Sequence, residues 1–345
     1  MLASFVHDAP AQRVVFGFGA VAQVPAEVER LGLRRALVIA TPGSGARLGA
    51  RVQALLGAQA AGLHAQAAMH TPRGVAATGA RAAKDANADG LVVVGGGSAI
   101  GLGKAIASET GLPIVVLPTT YSGSEATAIY GVSEGDRKLV QRDPRVLART
   151  VVYDPELTLA LPAAVTAASG MNAIAHCVEA LWVPDRTPVT VAYAMEALRL
   201  LVPHLPRAVA DGSDRDARGA CLAASWLAGA ALASGTGLHH KLAHILGGFG
   251  LPHAETHAVI LPHVTRFNLV EADEPAARLR EVFGGEPAEA LAAMLRSFPI
   301  PQRLRDVGFD PGKTDDAAAQ AAALGLTVPR PASADDVRTL LSRAY

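Results

Sequence analysis

The sequence predicts an α/β domain with a parallel sheet followed by an all-helical domain, and three observations carry that prediction. Short β-branched runs alternate with helical stretches through the first part of the chain. After "DPELTLALP" the strand-like runs stop and helical spacing takes over. At 345 residues the chain suits two domains better than one. The expected division is 1–155 for the α/β domain and 156–345 for the helical one, with the active site in the cleft between them.

Each element follows in turn. "RRALVIATP" reads as a strand ending in a turn before the helical "SGARLGARVQALLG". "DGLVVVGGGS" breaks at glycines and opens into "AIGLGKAIASETG", while "LPIVVLPTT" and "RTVVYDP" are further runs of strand length. Strands that alternate with helices indicate a parallel sheet covered on both faces. Beyond residue 162, "AAVTAASGMNAIAHCVEALW", "TVAYAMEALRLLVPHL", "ARGACLAASWLAGAAL" and "EPAEALAAMLRSF" combine helical spacing with good helix formers.

Composition narrows the function. Lys plus Arg equals Asp plus Glu at 31 each, with no charged tail, so neither nucleic acid nor an anionic membrane is an expected partner. The two cysteines, Cys177 and Cys221, allow one bridge at most, and a reduced cytoplasmic setting is expected. The opening "MLASFVHDAPAQR" has no basic segment leading into an apolar core, so no signal peptide is expected. The stretch 220–238 is uncharged over 19 residues, but its Ala, Gly and Ser content suits a closely packed buried helix rather than a membrane span.

Two stretches carry chemistry. In "LVVVGGGSAIGLGKA", Gly95, Gly96 and Gly97 follow a buried strand and Ser98 is expected to cap the next helix. Glycines there let the backbone approach a pyrophosphate, and the helix start offers free N–H groups to it. A plain strand-to-helix turn would need only one glycine. The second stretch, "GLHHKLAHILGGFGLPHAETH", spans 237–257 and holds five of the eleven histidines. His240 and His244 share a helix face, and such density exceeds what a packed core requires.

The glycine turn matches neither the dinucleotide G-x-G-x-x-G pattern nor a Walker A. It resembles the "GGGS" turn of the iron-containing (group III) alcohol dehydrogenase and dehydroquinate synthase-like superfamily. "LPTTYSGSEAT" at 117–127, "FGFGA" at 16–20 and "YDPELTLALP" at 153–162 match that superfamily in place and order. The resemblance implies cofactor binding by Thr119, Thr120 and Ser124. Within the superfamily, "PTTYSGSE", "GMNAIAHCVEAL", "GLHHKLAH" and "LPHAETHAVILPH" are most similar to the maleylacetate reductase branch. That branch reduces the carbon–carbon double bond of maleylacetate to give 3-oxoadipate, so the resemblance implies a small dicarboxylate substrate, a nicotinamide cofactor and a homodimer.

Metal-dependent relatives hold iron or zinc with one Asp and three His, and the matching positions here are Asn172, His176, His240 and His253. Asn172 offers a neutral carbonyl oxygen where a divalent cation expects an anion, so no metal is expected. Were one held, His176, His240 and His253 would be its ligands. The family's "GGGSxxD" has Gly101 at its acidic position, which suits an anionic substrate, while Lys104 matches the family's lysine. Thr41 ends the strand "ALVIAT" where a carboxylate would reject a 2′-phosphate, so NADH is expected with NADPH also accepted.

The implied chemistry is conjugate reduction, in which negative charge develops on a ketone oxygen. Imidazoles can donate to that oxygen and protonate carbon near neutral pH. His240 and His253 are expected at the oxyanion, with His244 as acid or orienter. Asn172, His176 and Lys241 are expected to bind the carboxylates or carbonyl. The alternatives are a metal-dependent alcohol or polyol dehydrogenase, a dehydroquinate synthase-like lyase and a non-enzymatic nucleotide binder.

Overall fold

The computed structural model describes residues 4–134 and 137–345. They form two compact units, Ala9–Leu161 and Pro162–Tyr345, the latter joined by the segment that ends at Asp8. The division thus falls at Leu161 rather than at 155. Asp154 is the reason: its carboxylate accepts from the backbone N–H groups of Gly19, Val21 and Glu156. These bonds tie the short 3-10 turn Pro155–Thr158 back onto the α/β unit.

In chain order the α/β unit contains β1 (Arg13–Phe16), α1 (Val24–Arg30), β2 (Ala36–Ile39), α2 (Ser44–Leu56), β3 (Ala60–His64) and α3 (Arg73–Asp85). It continues with β4 (Gly90–Gly95), α4 (Gly97–Thr110), β5 (Ile114–Pro118), β6 (Ile129–Glu134), β7 (Arg137–Arg142) and β8 (Thr150–Tyr153). Six strands make one sheet in the order β1-β8-β5-β4-β2-β3, with every neighbouring pair parallel. The runs of β2, β4, β5 and β8 are buried along their whole length, which is why they read as continuous apolar segments. Val38, Val92, Val115 and Val152 pack with Val24 and Val52 into one core.

The chain runs outward from β2 to β3, then returns to the other side of β2 for β4 and continues to β5. Strand order therefore reverses between β2 and β4, and the carboxyl ends there are where such sheets bind ligands. β6 and β7 form a separate antiparallel pair, an element absent from the sequence reading. The stretch "IYGVSEGDRKLVQR" mixes charged and apolar residues, so it lacks the uninterrupted apolar run that marks a buried strand.

The helical unit comprises α5 (Ala163–Ala180), α6 (Pro188–Ala210), α7 (Arg215–Ala231), α8 (Leu238–Gly248) and α9 (His253–Asn268). Then come α10 (Asp273–Phe283), α11 (Pro287–Ser297), α12 (Thr314–Ala323) and α13 (Ala334–Ala344). Among the described residues this unit contains no strand. The uncharged stretch 220–238 is split between α7 and the start of α8, which meet at a 98° bend. No single helix among the described residues is long and apolar enough to cross a membrane, although that bent pair passes by length and composition. Cys177 and Cys221 are both buried and unbridged.

α5 is buried continuously from Thr166 to Ala180, so it has no solvent face. Its close approach to α6 depends on Gly170, where a Cβ would stand 2.3 Å from Leu205 Cδ1. A central helix of this kind carries any polar side chain into the interior. Asn172, His176 and Glu179 are three such residues, and each must find a partner or a ligand there.

Candidate active site

At the sheet's reversal point, β4 ends on Gly95 at φ 145°, and α4 begins at Gly97 with Gly96 as its N-cap. Ser98 therefore lies inside the first turn instead of capping it. Gly95 and Gly96 supply the non-helical backbone one step earlier, and no side chain caps the helix. A Cβ on Gly96 would stand 2.6 Å from Thr120 Cγ2, whereas one on Gly97 would meet nothing within 4 Å. Open space over an uncapped helix start fits a pyrophosphate.

The hydroxyl loop is fastened beside this turn. The Thr119 backbone N–H donates to Gly95 O at 3.1 Å, which sets Thr119 and Thr120 against the glycines. Lys104 is buried under the loop, and its Nζ donates to the carbonyls of Ser124, Thr127 and Ile129 at 2.6, 2.8 and 2.8 Å. Burial pushes its pKa down to about 7 against the pull of Glu125. Lys104 is thus a clamp that holds the loop carrying Ser124. Gly101 has a packing reason of its own, since a Cβ there would lie 2.7 Å from Thr71 Oγ1. Thr41 follows β2 and is half-buried; its hydroxyl lies 2.1 Å from where a Cβ on Gly45 would be.

In the helical unit α5, α8 and α9 bring the histidines together. His253 and His257, one turn apart on α9, have ring centroids 4.3 Å apart, and His244 on α8 stacks on His253 at 5.8 Å. His240 lies 4.7 Å from His257 and stacks on His176 of α5 at 4.9 Å. The expected residues His176, His240, His244 and His253 are therefore one connected group. Asn172 is buried on α5 one turn before His176, and its Oδ1 has no hydrogen-bond partner. Lys241 is half-buried, and its charge adds to burial in depressing the His240 pKa.

Three members of the group were not singled out as site residues by the sequence reading. His257 sits at its centre, and His239 meets it at 4.8 Å, with His239 Nε2 donating to His257 O at 2.9 Å. The third is Glu179. Its carboxylate accepts from the backbone N–H groups of Gly237, His239 and His240 at 3.0, 2.8 and 3.3 Å, capping the first turn of α8. It also meets His240 Nδ1 at 2.5 Å. The spacing 172, 176, 179 places all three residues on one face of α5, which was the available signal.

Burial governs protonation here. It lowers the pKa of His240 to about 3 and of His239 to about 4, and holds His176 and His257 well below the ordinary imidazole value. Burial also raises Glu179, against the backbone donors that favour its charged form. With both oxygens already accepting N–H groups, the carboxylate is the better partner for His240, and the proton belongs on Nδ1. His240 then presents a bare Nε2, buried and without a partner.

The family's metal set does not fit these residues. Asn172 supplies a neutral amide, and the close imidazole trios are His239, His240 and His257, and His244, His253 and His257. His176 belongs to neither trio, and neither does Glu179, whose carboxylate is taken up by His240 Nδ1 and the start of α8.

Comparison with known proteins agrees with the architecture. The profile of iron-containing alcohol dehydrogenase matches residues 11–155, and that of the C-terminal part of the Fe-containing alcohol dehydrogenase family matches 166–345. Maleylacetate reductase 2 of Cupriavidus pinatubonensis is 48% identical over 339 residues, covering 96% of this chain and 94% of the relative. Maleylacetate reductase of Burkholderia cepacia is 44% identical over 345 residues, covering 99% and 98%. The crystal structure of maleylacetate reductase from Agrobacterium tumefaciens superposes with a TM-score of 0.95 at 42% identity, covering 100% of this chain and 99% of that one. With both halves matched in order and relatives this similar along its length, the chain belongs to the iron-containing alcohol dehydrogenase family of NAD(P)-dependent oxidoreductases.

Proposed function

We propose that the protein reduces the carbon–carbon double bond of maleylacetate to give 3-oxoadipate, with NADH as donor and without a catalytic metal. The observation that carries this reading is the run of relatives named maleylacetate reductase, 40% to 48% identical over nearly the whole chain. Asn172 in the Asp position supports the metal-free form. Thr41 offers no carboxylate against a 2′-phosphate, so NADPH also serves. The same reading makes the protein a cytoplasmic homodimer that acts in the breakdown of aromatic compounds.

A bound reduced nicotinamide supplies a hydride from C4 to the carbon β to the ketone. Gly95, Gly96, Gly97 and Ser98 hold the cofactor pyrophosphate, while Thr119, Thr120, Ser124 and Thr41 line its other contacts. Asn172, His176 and Lys241 bind the carboxylates and carbonyl of the substrate. As the double bond opens, its electrons move onto the ketone oxygen, where His240 and His253 act as donors. His244 returns a proton to the carbon α to the ketone, which completes the saturated product.

His240 needs a proton for this role, since burial keeps it neutral in the free protein. A dianionic substrate beside it raises its pKa, and Glu179 balances the imidazolium from the other nitrogen. Product analysis tests the reading. One NADH oxidised per 3-oxoadipate formed is the expected stoichiometry. NADH consumption that yields the hydroxy acid, by reduction of the ketone instead of the double bond, would overturn it.

A further inference from the structure

Buried nitrogens without partners are costly, and the histidine group concentrates several of them. His239 Nδ1, His240 Nε2 and both ring nitrogens of His257 have no hydrogen-bond partner, and the three residues are 0%, 3% and 0% exposed. One ligand nitrogen from each lies within 4.8 Å of the other two. The remaining nitrogens of His239 and His240 are already fixed, by His257 O at 2.9 Å and by Glu179 at 2.5 Å. A histidine whose second nitrogen is tied to a carbonyl or carboxylate is the usual form of a metal-ligating imidazole.

We propose that His239, His240 and His257 form a binding site for a divalent transition metal, and that occupancy of this site inhibits the enzyme. The site differs from the family's set, with which it shares only His240. Its inhibitory sense rests on the proposed function, because the ion takes up the Nε2 that His240 needs in the reaction. Three imidazoles and no oxygen ligand select Zn2+, Co2+, Ni2+ or Cu2+ over Mg2+ and Ca2+. Tetrahedral coordination would bring the nitrogens to about 3.4 Å from one another, so ring shifts on the order of 1 Å close the site. Glu179, bonded to His240, supplies negative charge next to the ion.

The test is a Co2+ titration of the chelator-treated full chain, read by the visible absorption of tetrahedral cobalt in the absence of substrate. One Co2+ per chain with an intense visible band is expected, and Zn2+ should compete for it and inhibit NADH oxidation. His239→Phe and His257→Phe, checked for folding by circular dichroism, should lose the band and weaken zinc inhibition of their own residual activity at least about tenfold. Absence of the band in the unmodified protein would overturn the proposal. So would its survival in folded His239→Phe with loss in His244→Ala, which would put the ion on the outer histidines. A band with no maleylacetate turnover would fail the proposed function alone, and turnover with no band would fail this inference alone.

Discussion

Glu179 lies at 2.5 Å from His240 Nδ1 and at the same time closes the N-terminus of the helix that carries His240. One buried carboxylate thus fixes the imidazole's tautomer, its orientation and the start of α8. Gly237 keeps room for it, since a Cβ there would stand 2.8 Å from Glu179 Oε1.

Replacing Glu179 by Gln keeps the shape but puts an amide N–H2 among four N–H donors. Turnover should fall by about 10- to 100-fold, the usual cost of losing a group that orients a working imidazole. The pH profile distinguishes this from a general loss of structure. The limb that reports protonation of His240 in the substrate complex should move to lower pH, because the imidazolium has lost its counter-charge. A Gln variant with an unchanged profile would show that Glu179 does not act through His240.

Acid should destabilise the fold early. His176, His239, His240 and His257 have folded pKa values below that of an unfolded histidine, near 4 for His239 and near 3 for His240. Below about pH 6.5 the unfolded chain binds the extra protons, so stability is complete above that value and falls as pH drops toward the folded values. Each histidine contributes at most about 1.4 kcal/mol per pH unit in that window. Glu179, whose value is raised, works in the opposite sense and offsets part of the loss. Urea midpoints at pH 7.5 and 5.5 should differ clearly; equal midpoints would contradict the burial of the cluster.

The glycine turn gives a separable test. Gly97→Val adds a side chain whose Cβ meets no protein atom, so the chain should fold normally while nucleotide affinity drops strongly. Gly96→Val would confuse the result, because its Cβ collides with Thr120. Calorimetric NADH binding by folded Gly97→Val at unchanged affinity would move the pyrophosphate elsewhere.

The sequence made these features readable to different depths. β2, β4, β5 and β8 were legible because strands buried on both faces leave continuous apolar runs. The antiparallel pair of β6 and β7 was not, since the residues of β6 are half-buried almost throughout and show no alternation. Four of the clustered histidines could be placed by helix spacing and family position. Helix spacing put Glu179 on the face of Asn172 and His176, but its role was hidden because its partners lie about 60 residues away, on a helix start that only tertiary packing brings to it. His239 was overlooked because adjacent residues on a helix seldom share a face, yet both it and His240 reach His257.

The most direct measurement follows NADH oxidation with maleylacetate and, separately, with simple aldehydes, each before and after exhaustive chelation. Rapid oxidation with maleylacetate that chelation leaves intact is expected, with little or none with the aldehydes. Aldehyde reduction that is lost on chelation and restored by iron or zinc would contradict it, and would make this chain a metal-dependent alcohol dehydrogenase.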